Sequence, residues 1–187
     1  MGTANEICGS ACMEIVKIDY QNLADINKAN QPFEVIGKIK PTFSDGIWTY
    51  TEEIYEQSYM KVYADNACDY AVYIDNSDKT VFFAYSDKEC IGQIVLQRDW
   101  NRYAFIEDIC VAKSARGQGV GTKLIQKAIE WAKNSNLNGL ALETQDNNLL
   151  ACRFYEKCGF VIGAVNTMLY RNLDNKEEFA VFWYLQF

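Results

Sequence analysis

The clearest hydrophobic pattern in the chain lies between residues 104 and 160. Leu124, Ile125, Ala128, Ile129 and Ala132 recur at helical spacing and predict one apolar stripe on a helix over about 122–134. A strand-like run at 104–111 precedes it and a shorter one at 140–143 follows. Strand, helix and strand make a βαβ unit, so those two strands are expected to be parallel. Asp146-Asn147-Asn148 caps a second helix that reaches Cys158 and stops at Gly159. Upstream, runs at 71–75, 80–86 and 91–97 are rich in aromatic and β-branched residues. Polar turns at 75–78 and 86–89 separate them, which predicts an antiparallel meander. Runs at 160–162 and 179–185 read as final strands.

The N-terminal third is less regular. Residues 19–30 suggest a short helix, with Asp19 as N-cap and Leu23, Ile26 and Ala29 on one face. Residues 33–39 read as a strand. Residues 47–54 read as a strand passing into a helix through Tyr63. The first twelve residues have no periodicity and are expected to form a flexible leader, with Met13 as an internal start. The expected fold class is α+β in a single domain over 13–187: a mixed sheet, antiparallel meander joined to a parallel crossover, flanked by helices.

Composition narrows the function classes. Apolar residues make up 49% and charged residues 23% of 187, the values of a globular domain. No apolar run approaches a membrane span, and no basic n-region leads into an apolar h-region, so neither a secretory signal nor a membrane span is expected and a cytoplasmic protein is. Histidine is absent, which removes His triads, His–zinc sites and HExxH chemistry. The 7 cysteines, at 8, 12, 68, 90, 110, 152 and 158, are odd in number and show no C-x-x-C pair. Reduced thiols are expected, and no metal. The net charge of −7 argues against a nucleic-acid partner. Residues 1–110 hold 9 basic and 18 acidic residues, whereas residues 111–187 hold 9 and 7. The first part suits a cation and the second an anion.

An anion site is written in the turn Arg116-Gly117-Gln118-Gly119-Val120-Gly121-Thr122. A helix N-terminus offers free N–H groups, and glycines let an anion approach the backbone. Thr122 defeats both the Walker A and the dinucleotide spacing. R-x-x-G-x-G does fit, with Arg116, Gly119 and Gly121. About 30 residues on, Asn148 through Phe160 fits N-x-x-A-x-x-x-Y-x-x-x-G-F, with Ala151, Tyr155 and Gly159 in place. In these two motifs the chain resembles the GNAT superfamily of acetyl-CoA-dependent N-acetyltransferases, over about 71–185. Segments 33–38, 100–103, 142–148, 167–170 and 180–185 further resemble the streptothricin (nourseothricin) acetyltransferases within it. Residues before Met13 have no counterpart there.

The resemblance implies a GNAT fold with acetyl-CoA as co-substrate. It implies that the turn 116–122 holds the pyrophosphate of CoA, with Gln118 and Val120 in it. It also implies that Ile109, Cys110 and Val111 run beside pantetheine and offer N–H groups to the thioester oxygen. Asn148 would bond the pantetheine arm, with Ala151 alongside, or serve as a helix cap. Tyr155 is implied as the general acid for the CoA thiolate. Arg116 binds phosphate in this reading; the alternative is a partner carboxylate.

Transfer to an alkyl amine needs a base, and without histidine a carboxylate is the natural one. Glu107 or Asp108, directly or through water, is expected to serve. A regular strand would turn them to opposite faces, and a bulge could re-aim either. A cationic acceptor such as streptothricin calls for carboxylates and ring faces. Trp48, Tyr50, Glu52, Glu53, Trp100, Tyr103 and Glu143 are candidates, though each residue type is more often core or surface. Other readings are a GNAT enzyme for a polyamine, aminoglycoside or protein N-terminus, and a non-catalytic acyl-CoA-binding module. Oligomeric state is not legible in the sequence; a homodimer is compatible with it.

Overall fold

The computed structural model describes residues 13–65 and 68–187. The leader with Cys8 and Cys12 therefore lies outside the described residues. Nine strands and two helices are formed among those described: β1 (Glu14–Lys17), β2 (Phe33–Ser44), β3 (Ile47–Lys61), β4 (Lys79–Ser86), β5 (Glu89–Arg98), β6 (Ala104–Val111), α1 (Val120–Asn134), β7 (Gly139–Gln145), α2 (Leu149–Lys157), β8 (Val161–Asn166) and β9 (Ala180–Gln186). Seven strands form one sheet in the order β1-β4-β5-β6-β7-β9-β8, and β2 and β3 form a separate hairpin. The β6–β7 contact is parallel and the remaining pairs are antiparallel, the mixed sheet expected from the meander and the βαβ crossover.

Alternation along the strands sorts side chains between two apolar layers. Phe82, Ala84, Ile94, Leu96, Ile106, Leu140 and Leu142 join Leu124, Ile125, Ala128 and Ala132 of α1 in the main core. Val81, Phe83, Cys90 and Val95 face the other way, onto Ile18, Tyr70 and Tyr73. Leu124 and Leu140 are fully buried, and truncating either to Ala would cost about 2–5 kcal/mol.

The N-terminal third departs from the sequence expectation. Residues 19–30 form only one turn of 3-10 helix, Leu23–Asp25. The run at 71–75 is also a 3-10 turn, Tyr70–Tyr73, because Tyr70 and Tyr73 at i, i+3 both turn inward. β1 takes the sheet edge beside β4 instead. No helix follows residue 54: β3 runs unbroken to Lys61. Asp45 and Gly46, at φ +52° and +82°, close the β2–β3 hairpin. The hairpin crosses the start of α2, where Ile39 N–H bonds Asp146 O at 2.9 Å. Lys61 fastens its end, bonding Glu178 at 2.5 Å and Gln145 at 2.6 Å. Among the described residues, no helix is long and apolar enough to cross a membrane.

Two irregularities open a slot. β6 and β7 pair only at Ala104–Leu140, Phe105–Ala141 and Ile106–Leu142, then part. β6 continues on β5 to Val111, and β7 continues on β9 to Gln145. On β6, Ile106 faces Leu96 and Asp108 faces Val95, so Glu107 is the extra residue of a bulge.

Candidate active site

The bulge decides where the β6 carboxylates point. Tyr73 donates its hydroxyl to Glu107 Oε2 at 2.6 Å. Gln93 Nε2 donates to Asp108 Oδ2 at 2.7 Å. Tyr73 belongs to the layer opposite α1. Gln93 alternates with Gly92, which abuts Val120 and Leu124 of α1, and with Ile94 of the main core. Both carboxylates therefore leave β6 on the face away from α1, where a regular strand would have divided them. Burial pushes the Asp108 carboxyl above the usual range against the hydrogen bonds of Gln93 and Cys110, and the charge of Asp65 adds to the rise.

Glu143 stands on the other arm of the slot, on β7, and accepts from the Tyr170 hydroxyl. Burial raises its pKa; the Tyr170 bond opposes the rise and Glu178 reinforces it. The chain after β3 reaches the same region. Asn30 Nδ2 holds Tyr63 O at 3.0 Å and Asp65 Oδ1 at 2.7 Å. The Tyr63 hydroxyl accepts from Asn148 Nδ2 at 3.2 Å.

Tyr155 of α2 is 6% exposed and packs against Phe154, Phe160 and Trp183. Its hydroxyl makes no hydrogen bond among the described residues. Burial drives its pKa up, with Tyr63, Cys152, Asp108 and Glu143 adding to the rise. The phenol thus stays protonated, and it feels the carboxylates of both arms.

At the head of α1, Gly117 and Gly119 have φ of +77° and +83°, and Gly119 is the N-cap without a side-chain cap bond. The first helical bond joins Lys123 N–H to Gly119 O at 3.1 Å. The N–H groups of Val120, Gly121 and Thr122 precede it and have no acceptor within the helix. A Cβ at 117 or 119 would meet nothing within 4 Å, so the turn faces open space. Gln118 bonds Ser114 O at 2.7 Å. Arg116 instead folds back along the surface: Nε bonds Val111 O at 2.9 Å, and Nη1 and Nη2 bond Pro32 O and Gln31 O at 2.8 Å each. It meets backbone carbonyls and, among the described residues, no carboxylate, which leaves two of its five N–H donors. Ile109, Cys110 and Val111 line the β6 arm half-buried. Asn148 is the α2 N-cap, accepting from Ala151 N–H at 3.3 Å.

Of the acceptor candidates read from sequence, only Glu143 reaches the slot. Trp48, Tyr50 and Glu52 line a groove of about 680 Å³ between β3 and β8, with Glu156 and Trp183. There Arg153 holds Glu52 at 2.8 and 2.5 Å, and Tyr50 bonds Glu156 at 2.7 Å. Glu53 pairs with Lys40 on the hairpin. Trp100, 91% exposed, and Tyr103, against Tyr184, sit at the start of β6, the end opposite the slot. Aromatic character drew attention to them; the strand direction takes them away. Sequence reasoning missed Tyr63, Asp65, Tyr73, Gln93 and Tyr170. Gln93 carried a signal, as the one polar residue in the apolar run 90–96. The others come from turns and long loops whose course no local pattern specifies.

A model of the acetyltransferase (GNAT) family matches residues 44–160. Streptothricin acetyltransferase A of Bacillus subtilis (strain 168) is 50% identical over 173 residues, 92% of this chain and 99% of that protein. The crystal structure of a candidate streptothricin acetyltransferase from Bacillus anthracis str. Ames, in complex with acetyl coenzyme A, superimposes with a TM-score of 0.86 at 38% identity, covering 96% of this chain and 99% of that one. Nourseothricin acetyltransferase superimposes with a TM-score of 0.78 at 26% identity, over 93% and 98% of the two chains. With the family model spanning more than half of its length and a relative half identical over 92% of it, the chain belongs to the GNAT family of acetyl-CoA-dependent N-acetyltransferases.

Proposed function

We propose that the enzyme transfers acetyl from acetyl-CoA to the β-lysyl amine of streptothricin-type antibiotics and so confers resistance. The observation that carries this reading is the acidic, tyrosine-bordered slot. Glu107 and Asp108 stand on one arm and Glu143 on the other, with tyrosine hydroxyls on Glu107 and Glu143. Such a face attracts a cationic amine. The named streptothricin acetyltransferases, one of them half identical to this chain, support the same acceptor.

In this reading the free N–H groups at 120–122 receive the CoA diphosphate, aided by the helix dipole. Arg116 acts mainly as a strap that holds 31–32 against the end of β6. Pantetheine lies along Ile109–Val111, with Asn148 and Ala151 across the slot. The N–H groups near 109–111 bind the thioester oxygen as charge builds on it.

An alkyl ammonium has pKa near ~10, so a proton must leave before attack. Glu107 or Asp108 takes it. The amine nitrogen then attacks the thioester carbon, the C–S bond breaks, and the acetamide forms. Tyr155 donates its hydroxyl proton to the departing sulfur, and the phenol is recharged from the protonated carboxylate. The second nitrogen proton passes to solvent, which balances the reaction. Because burial disfavours the phenolate, Tyr155 donates most strongly once charge has developed on sulfur.

The test is CoA thiol release from acetyl-CoA with streptothricin, spermidine or an aminoglycoside as acceptor. Fast release with streptothricin alone supports the reading. Release only with another amine overturns the acceptor and keeps the chemistry.

A further inference from the structure

Gln93 is fully buried in the middle of β5, flanked by Ile91, Gly92, Ile94 and Val95. A polar side chain there needs all its bonds. The Asn27 backbone N–H donates to Gln93 Oε1 at 2.8 Å. A backbone N–H can only donate, so the amide cannot be flipped. Gln93 Nε2 then faces Asn27 Oδ1 at 3.1 Å and Asp108 Oδ2 at 2.7 Å. Asn27 stands at φ +63°, and meets Gln93 with both its backbone and its side chain.

We propose that Gln93, locked by Asn27, is a positioning residue that holds Asp108 as the proton acceptor of the transfer reaction. The inference rests on the reading of a β6 carboxylate as base, and selects Asp108 from the pair. An amide that can only donate favours the carboxylate over the carboxylic acid. It also occupies Oδ2, so an arriving proton goes to Oδ1. Glu107 has no such lock, since its partner Tyr73 carries a hydroxyl that can donate or accept. The titratable groups facing Asp108 are Cys110 on β6, Asp65 after β3 and Tyr155 on α2. Glu107 stands beside it, engaged by Tyr73. None of these supplies a positive charge, so the Gln93 donor and the weaker Cys110 thiol are what oppose protonation of Asp108.

Gln93→Glu tests this with nearly the same shape. The new carboxylate still accepts from Asn27 N–H but offers Asp108 an acceptor in place of a donor. The acidic limb of the kcat/KM profile, measured with one acceptor so that its own ionisation is common, should rise by about one pH unit or more. Acetyl-CoA affinity by calorimetry should stay within about twofold. Asn27→Gly keeps the left-handed backbone and its N–H, removes the side chain and with it the Oδ1 acceptor, and should move the limb the same way by less. An acidic limb unmoved in both variants overturns the inference. Asp108→Asn and Glu107→Gln separate it from its premise. If Asp108→Asn keeps full turnover, Asp108 is not the base and the lock has no role. If Asp108→Asn is inactive while the limb of Gln93→Glu stays in place, the lock alone fails.

Discussion

Gly121 of α1 lies against the ring of Phe154 on α2: a Cβ at 121 would stand 3.0 Å from Cζ and 3.3 Å from Cε2. The two helices that bear the motifs of this chain meet at that contact. Phe154 in turn packs on Tyr155, with ring centroids 5.5 Å apart. The missing side chain at 121 is what lets α1 approach the Phe154 ring this closely.

Gly121→Ala should force the Phe154 ring to shift by a few tenths of an ångström, costing about 1 kcal/mol of stability. The larger effect is expected in function, as a raised KM for acetyl-CoA together with a lowered kcat. Steady-state kinetics beside a thermal melt check this. An unchanged kcat and KM would mean that the contact does not set the helix spacing.

Tyr155→Phe should lower kcat about tenfold or more with little change in acetyl-CoA affinity. The hydroxyl has no hydrogen-bond partner among the described residues, so its removal leaves none of their buried groups unsatisfied and Tm should hold. Wild-type turnover in this variant would refute the general-acid role.

Arg116→Ala should lower Tm and weaken acetyl-CoA together, because three hydrogen bonds to the carbonyls of Gln31, Pro32 and Val111 disappear. Each is worth about 1 kcal/mol. The strap predicts that the affinity loss persists at high salt. A loss that vanishes at high salt, with Tm unchanged, would assign Arg116 to the phosphate instead. Arg116→Lys should not restore the wild type, since one ammonium cannot reach three carbonyls in the guanidinium geometry.

The same contrast between local and distant causes explains what the sequence revealed. The α1 stripe, the glycine turn and the Asn148 cap are local patterns, and each element stands where its pattern put it. The β4–β5 hairpin was legible from its turn at 86–89 and β6 from its own run, but the first strand expected for the meander, 71–75, is a 3-10 turn. The β2–β3 hairpin was not, although Asp45-Gly46 is a strong hairpin signal. The mixture of Thr, Glu and aromatic residues in 47–63 obscured its alternation. The slot was half legible. Its β6 arm follows from neighbours in sequence, but the direction of Glu107 and Asp108 depends on a bulge registered against β5. Trp48 and Glu52 belong to the right layer and the wrong groove, because the hairpin's crossing of α2 is a tertiary fact.

Asp108→Asn should separate stability from activity. In the folded state burial raises the Asp108 pKa above its ordinary 3.8. Between those two values the native protein keeps a proton that the unfolded chain has lost. The contribution of Asp108 to stability is therefore most favourable below the ordinary value and falls as pH rises through the folded value. Above the folded value the wild type carries a buried charge that asparagine removes, while the asparagine oxygen can still accept from Gln93. Tm of the variant should be higher than that of the wild type at pH 7.5, and the gap should narrow as pH falls toward 4. Turnover should fall about a hundredfold or more if Asp108 takes the ammonium proton. Calorimetric melts of both proteins at several pH values, beside kcat, read the two effects independently. A variant less stable at pH 7.5, with a deficit that shrinks in acid, would mean that the bonds of Gln93 and Cys110 outweigh the burial of the charge.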